Sequence, residues 1–95
     1  MKYNIPERVL RDISVFAKKY SINKVILFGS RARGDNTERS DIDIAVYGGD
    51  FDSFIGILKK KYIPFKFDVV EADKSISEEL KQEIEKDGVV IYEKA

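Results

Sequence analysis

Apolar residues follow two different periods along this chain. After Pro6, residues Val9, Leu10, Ile13, Phe16, Ala17 and Tyr20 recur at every third or fourth position. That spacing predicts an amphipathic helix over about residues 6–20 with its apolar stripe in the core. Pro6 suits the first turn, where its missing N–H is not needed. Ser21-Ile22-Asn23 is a short connection, and residues 24–28 read as a buried strand ended by Gly29. From Asp41 to Tyr47 the period changes to two, which predicts a second strand. Phe51, Phe54, Ile55 and Leu58 return to helical spacing over about residues 51–60, with Lys59-Lys60-Lys61 at the solvated C-terminal end. Ile63-Pro64 is a break, and Phe65 to Val70 reads as a third strand. Ser75-Ile76-Ser77-Glu78 has the form of a capping box for a helix at about 76–86, with Leu80 and Ile84 inward. Asp87-Gly88 stops that helix, with Gly88 suited to a left-handed cap, and Val89 to Tyr92 is a short final strand or extended run.

Alternation on the second strand sorts its side chains. Ile42, Ile44 and Val46 share the core face, while Asp41 and Asp43 share the other, about 6–7 Å apart along the backbone. Flexing side chains bring both carboxylates within reach of one divalent cation. Asp is depleted in strands, so two on one face need a reason. Taken alone, Asp-x-Asp is equally the solvated face of a half-buried sheet. On the third strand Phe65, Phe67 and Val69 share one face, and Lys66, Asp68 and Val70 share the other. Glu71 falls on the apolar parity at the strand end.

The segment between the first two strands adds a second kind of chemistry. Gly29 and Ser30 stand at the end of a strand, where a backbone N–H and a hydroxyl approach a phosphate closely. Ser30 to Arg33 is expected to form one helical turn, and Gly34-Asp35-Asn36 has turn chemistry. Arg31, Arg33 and Arg39 are each either a solvated charge or a phosphate contact. Ser40 is expected to bond locally and orient the aspartates that follow. Ten residues separate Ser30 from Asp41, the span of a short helical turn and a return strand.

Gly-Ser, ten residues, then Asp-x-Asp resembles the signature of the DNA polymerase β-like nucleotidyltransferase superfamily. The fuller string, Gly29-Ser30-Arg31-Ala32-Arg33-Gly34 with Ser40-Asp41-Ile42-Asp43, resembles its minimal nucleotidyltransferase branch. The resemblance implies an α+β fold. Its mixed sheet has the first two strands antiparallel and the third beside the second, with helices packed on one face and the active site on the other. It implies Asp41, Asp43 and Asp68 as catalytic and metal-binding residues. Gly29 and Ser30 are implied at the nucleotide phosphates, with Arg31 and Arg33 as further nucleotide-binding candidates. The chemistry implied is two-metal phosphoryl transfer, with two ions roughly 3.5–4 Å apart. Attack falls on the α-phosphorus of ATP, and pyrophosphate leaves. Small stand-alone members often pair with a HEPN-domain protein. In such pairs the nucleotidyltransferase is an antitoxin that adds AMP to a tyrosine of an RNase toxin.

Composition narrows these expectations. Ninety-five residues suit a single domain over 1–95, with no room for the extra domains of large polymerases. Lys+Arg and Asp+Glu are both 17, so the formal net charge is zero and stable duplex binding is not expected. Without cysteine or histidine, any metal site is built from oxygen ligands, which points to Mg²⁺ or Mn²⁺. No signal-peptide core and no membrane-length apolar run is present, so a cytoplasmic protein is expected. Three functions remain: AMP transfer from ATP to a protein, nucleotidyl transfer to a small molecule, and a non-catalytic module that blocks its partner sterically.

Overall fold

The computed structural model describes residues 3–95 apart from Asn36, Glu38 and Pro64. The turn expected at Asn36 and the break expected at Pro64 therefore lie partly outside the described residues. The elements are α1 (Glu7–Lys19), β1 (Lys24–Phe28), α2 (Gly29–Arg33), β2 (Ile42–Tyr47), α3 (Phe51–Lys61), β3 (Phe67–Glu71), α4 (Glu78–Asp87) and β4 (Val89–Glu93). Pro6 stands just before α1, and its carbonyl accepts from Val9 and Leu10. Asp50 caps α3 by accepting from the Ser53 N–H.

The strands form one sheet in the order β3-β2-β1-β4. β1 runs antiparallel to β2 and to β4, and β2 runs parallel to β3. The mixed sheet has the strand directions expected from the resemblance. The final run is not merely packed on the core; it is an edge strand.

One face of the sheet carries Val25, Leu27, Ile42, Ile44, Val46 and Phe67, all buried against Val9, Ile13 and Ala17 of α1 and Phe54, Ile55 and Leu58 of α3. Removing this apolar surface from water is the main stabilising term. Asp12 of α1 accepts hydrogen bonds from Lys61 at 2.7 Å and from the Tyr62 hydroxyl, which ties the two helices together. The opposite face carries Ile26, Phe28, Ala45 and Val70, packed against Leu80 and Ile84 of α4. Here the expectation of helices on one face needs correcting. α1 and α3 cover the expected face, but α4 shares the face that bears the aspartates.

The ends of α4 also differ from expectation. Its cap is Ser77, which accepts from the Leu80 N–H; Ser75 and Glu78 do not form a capping box. Gly88 is extended rather than left-handed, and a Cβ there would meet the Ile26 side chain and the Ile84 carbonyl. Gly88 is therefore favoured by close packing, not by backbone handedness. Among the described residues, no helix is long and apolar enough to cross a membrane.

Candidate active site

Register places the acidic residues. Asp43 on β2 is opposite Phe28 of β1 on one side and Asp68 of β3 on the other. Residues opposite one another in a sheet project to the same face. Asp43 and Asp68 thus sit side by side, with Asp41 just before β2 on the same parity. The sequence-derived alternation therefore brings these three together on one face. Glu71 is opposite Val46, on the core parity, and is not part of the group.

Asp43 is the innermost of the three, half-buried, whereas Asp41 and Asp68 are exposed. Burial pushes the Asp43 carboxyl up to about 6, and the charges of Asp68 and Asp41 and a hydrogen bond with Asp68 add to the effect. Glu83 of α4 contributes in the same direction. In the conformation seen, no three carboxylates among the described residues are gathered closely enough to hold one ion. Asp43 and Asp68 are in contact, and Asp41 is within electrostatic reach. The donor set nevertheless suits a hard cation: oxygen ligands, solvent-facing, with mutual repulsion that a divalent charge relieves.

Gly29 closes the inner side of this group. It begins α2 with φ +76°, a conformation open to glycine, and the Asp43 carboxylate fills the space where a Cβ would stand. Ser30 follows, half-buried, and its carbonyl accepts from Gly34 and Asp35. The one-turn helix expected here is present, and the left-handed Gly34 ends it.

The arginines separate into two roles. Arg31 is 2 % exposed. Its guanidinium donates to the Ser40 carbonyl from Nε at 3.2 Å and Nη2 at 2.8 Å, and to the Asn4 carbonyl at 2.6 Å. It braces the loop leading to Asp41, and this burial on backbone carbonyls sets it against its expected place among the nucleotide-binding candidates. Arg33 faces α4, donating to Asp35 at 3.1 Å and Asp87 at 3.3 Å with Glu83 at 3.9 Å. The Asp35 and Asp87 hydrogen bonds hold its guanidinium above its ordinary value. The Ser40 hydroxyl accepts from the Thr37 N–H, the local bond expected of it.

From the sequence, Glu83 is not named, and Asp87 is named only as a helix stop. Their signal is faint: they flank the Leu80–Ile84 stripe, but that stripe does not say which sheet face α4 covers.

A family model described as polymerase beta, nucleotidyltransferase matches residues 11–95. The chain belongs to this nucleotidyltransferase family. A Methanocaldococcus jannaschii protein named as a protein adenylyltransferase is 37 % identical over 97 residues, covering 90 % of this chain and 97 % of the relative. A second from the same organism, named likewise, is 29 % identical over 94 residues, covering 92 % and 94 %. Among solved structures, the toxin–antitoxin with AMP-PNP has a chain that superposes with a TM-score of 0.72 at 24 % identity, over 90 % of this chain and 73 % of that one. The MntA-HpeT toxin–antitoxin carrying two Asp-to-Glu changes gives 0.71 at 22 % identity, over the same shares. These two likenesses establish the nucleotidyltransferase fold. On it, the Gly29–Ser30 turn and the Asp43–Asp68 pair of this nucleotidyltransferase lie at the ends of adjacent strands.

Proposed function

We propose that this nucleotidyltransferase transfers AMP from ATP to a hydroxyl of a partner protein and acts in the cytoplasm as an antitoxin. The observation that carries the reading is the position of Asp43, wedged between the Gly29–Ser30 turn and Asp68. A nucleotide turn and a carboxylate group placed edge to edge suit a triphosphate held by both.

In this reading Asp41, Asp43 and Asp68 hold Mg²⁺, or Mn²⁺ in its place. The cation supplies charge neutralisation to the triphosphate when bound. Ser30 donates its hydroxyl hydrogen to the β- and γ-phosphates, beside the Gly29 backbone. Arg33 would reach the same phosphates in this reading only after leaving Asp35 and Asp87. The acceptor oxygen bonds to the α-phosphorus, the bond to the bridging oxygen breaks, and pyrophosphate leaves. Asp68, the most exposed position of the adjacent pair, accepts the acceptor's proton. Positioning and charge neutralisation account for the rate.

The relatives named as protein adenylyltransferases support a protein acceptor. The toxin–antitoxin origin of the fold neighbours, one of them with AMP-PNP, supports ATP and a toxin partner. The family resemblance suggests a HEPN-type RNase as that partner and a tyrosine as the acceptor. An added AMP would bring bulk and negative charge to a site that binds phosphate.

The test is intact mass. The protein is mixed with the product of its neighbouring reading frame, ATP and Mg²⁺. A gain of one AMP on the partner, absent with Asp43→Asn, is expected. Label from α-labelled but not γ-labelled ATP should follow the partner. Equal neutralisation by Asp43→Asn without a mass change would overturn the enzyme in favour of steric blocking.

A further inference from the structure

The two edges of the sheet are unlike. The β3 edge, Phe67-Asp68-Val69-Val70-Glu71, carries two acidic side chains along five residues. The β4 edge begins Val89-Val90-Ile91-Tyr92 and carries no charge before Glu93. Its inner side pairs with β1, with a register irregularity opposite Val25 and Ile26, and its outer side pairs with no strand among the described residues. Sheet proteins that stay monomeric normally guard such an edge with charge or proline. Val90 is 51 % exposed on it.

A groove of about 760 Å³ runs beside this edge, with Leu10, Val90 and Ile91 among its apolar lining and Glu7, Arg11 and Ser14 from α1. Glu7 and Arg11 lie one helical turn apart, both exposed. Neither takes part in a salt bridge among the described residues. Val15, one turn beyond Arg11, is 52 % exposed.

We propose that a second copy of this chain occupies the β4 edge and the groove, joining two sheets into one through antiparallel β4–β4 pairing. The symmetry is self-consistent. Edge strands paired antiparallel are related by a two-fold axis perpendicular to the sheet, so each sheet face continues into the same face of its mate. Both α1 helices then lie on one side of the seam, antiparallel to each other. Such an arrangement sets Glu7 against Arg11 of the second copy, and Arg11 against Glu7, in an isologous contact. The groove is thus complementary in charge to itself.

A typical interface takes about 800 Å² from each partner, roughly an eighth of the 5979 Å² surface of this chain. The catalytic face remains open. Asp43 is two strands from β4, about 10 Å across the sheet, and Asp68 is on the opposite edge. Both active sites open to the same side of the joined sheet, free to act on acceptors presented together. The contact needs neither ATP nor metal, so its failure and the failure of the transfer reading are separable.

Sedimentation equilibrium of the full chain, without nucleotide, tests this over a wide protein concentration range. A mass of twice 10.9 kDa is expected. Val90→Lys, at an exposed position, should return the single-chain mass with unchanged circular dichroism. Arg11→Glu should weaken the dimer about tenfold or more, and Glu7→Arg with Arg11→Glu should restore it. The swapped pair decides the matter even if Val90→Lys fails to fold, because both residues lie outside the core. A single-chain mass at every concentration, or a dimer indifferent to these changes, would overturn the proposal. A monomeric wild type whose partner binding is lost in Val90→Lys would overturn it too, assigning the groove to that partner.

Discussion

The carboxylate of Asp43 lies where a side chain at Gly29 would begin: a Cβ there would stand 3.0 Å from the carboxyl carbon and closer to one oxygen. Sequence spacing suggested that Gly29 is needed for close approach to a phosphate. The structure supplies a nearer reason, since the residue makes room for the central aspartate of its own site. Gly34 has similar handedness, φ +87°, but nothing within 4 Å of its Cβ position.

That contrast gives a matched pair of variants. Gly34→Ala should cost about 1 kcal/mol through backbone strain alone and leave turnover near wild type. Gly29→Ala should cost about 1–3 kcal/mol and displace Asp43, lowering transfer on the order of 100-fold. Thermal melting and transfer assays on both proteins separate strain from displacement. Equal activity in the two would mean that Asp43 tolerates displacement.

The raised Asp43 carboxyl sets a pH dependence for the metal-free protein. It binds its proton more tightly in the folded chain, near 6, than at the ordinary 3.8. The folded state is therefore favoured by this group below about pH 4, and that advantage is lost as pH rises through 6. Above 6 the ionised carboxylate costs stability. A shift of about two units caps the cost near 3 kcal/mol, and solvent screening reduces it to about 1 kcal/mol. Asp43→Asn should thus melt higher than wild type at pH 8 without metal, with the difference closing near pH 4. Adding Mg²⁺ should raise the wild type more than the variant. A variant that melts lower at pH 8 would mean that Asp43 is stabilised, not crowded, by its neighbours.

Arg31 and Arg33 look equivalent in Gly-Ser-Arg-Ala-Arg-Gly, and the fold separates them. Arg31→Met should leave the Ser40 and Asn4 carbonyls without their donor and cost about 2–4 kcal/mol in a denaturant titration. Arg33 is solvent-exposed and paired at the surface, so Arg33→Met should hardly move the melt. Its effect is expected instead as a raised KM for ATP. The reverse pattern would return Arg31 to the nucleotide and make Arg33 the structural residue.

What separates the legible from the illegible is distance along the chain. Strand alternation is local, so the shared face of Asp41 and Asp43 could be read from neighbouring letters, and that of Asp68 followed once β3 was placed beside β2. Burial of Arg31 depends on a carbonyl 27 positions away, at Asn4, and no local pattern encodes that. Leu80 and Ile84 announced an amphipathic helix, but both sheet faces offer apolar surface, so the stripe did not choose between them. A capping box at Ser75 sets the α4 cap two residues too early, because Ser75 has Glu78 three positions on while Ser77, the actual cap, has Leu80 there. Only the Leu80 N–H bond identifies the one that caps.

Asp68 and Glu71 compete, by residue type alone, for the role of third carboxylate, and the register decides between them. Asp68 is opposite Asp43, while Glu71 is opposite Val46 on the core parity. Asp68→Asn removes the charge that, after burial, contributes most to raising the Asp43 carboxyl. It should therefore lower the Asp43 titration midpoint while abolishing transfer, since the remaining carboxylates lose a partner for the cation. Glu71→Gln should do neither. Carboxyl-carbon NMR titration of the metal-free proteins reads the first effect, and α-labelled ATP reads the second. The two readouts together matter, because a destabilised β3 edge would lower activity without moving the Asp43 midpoint. An unmoved midpoint in Asp68→Asn would break the pairing, and lost transfer in Glu71→Gln would shift the third-carboxylate role to the end of β3.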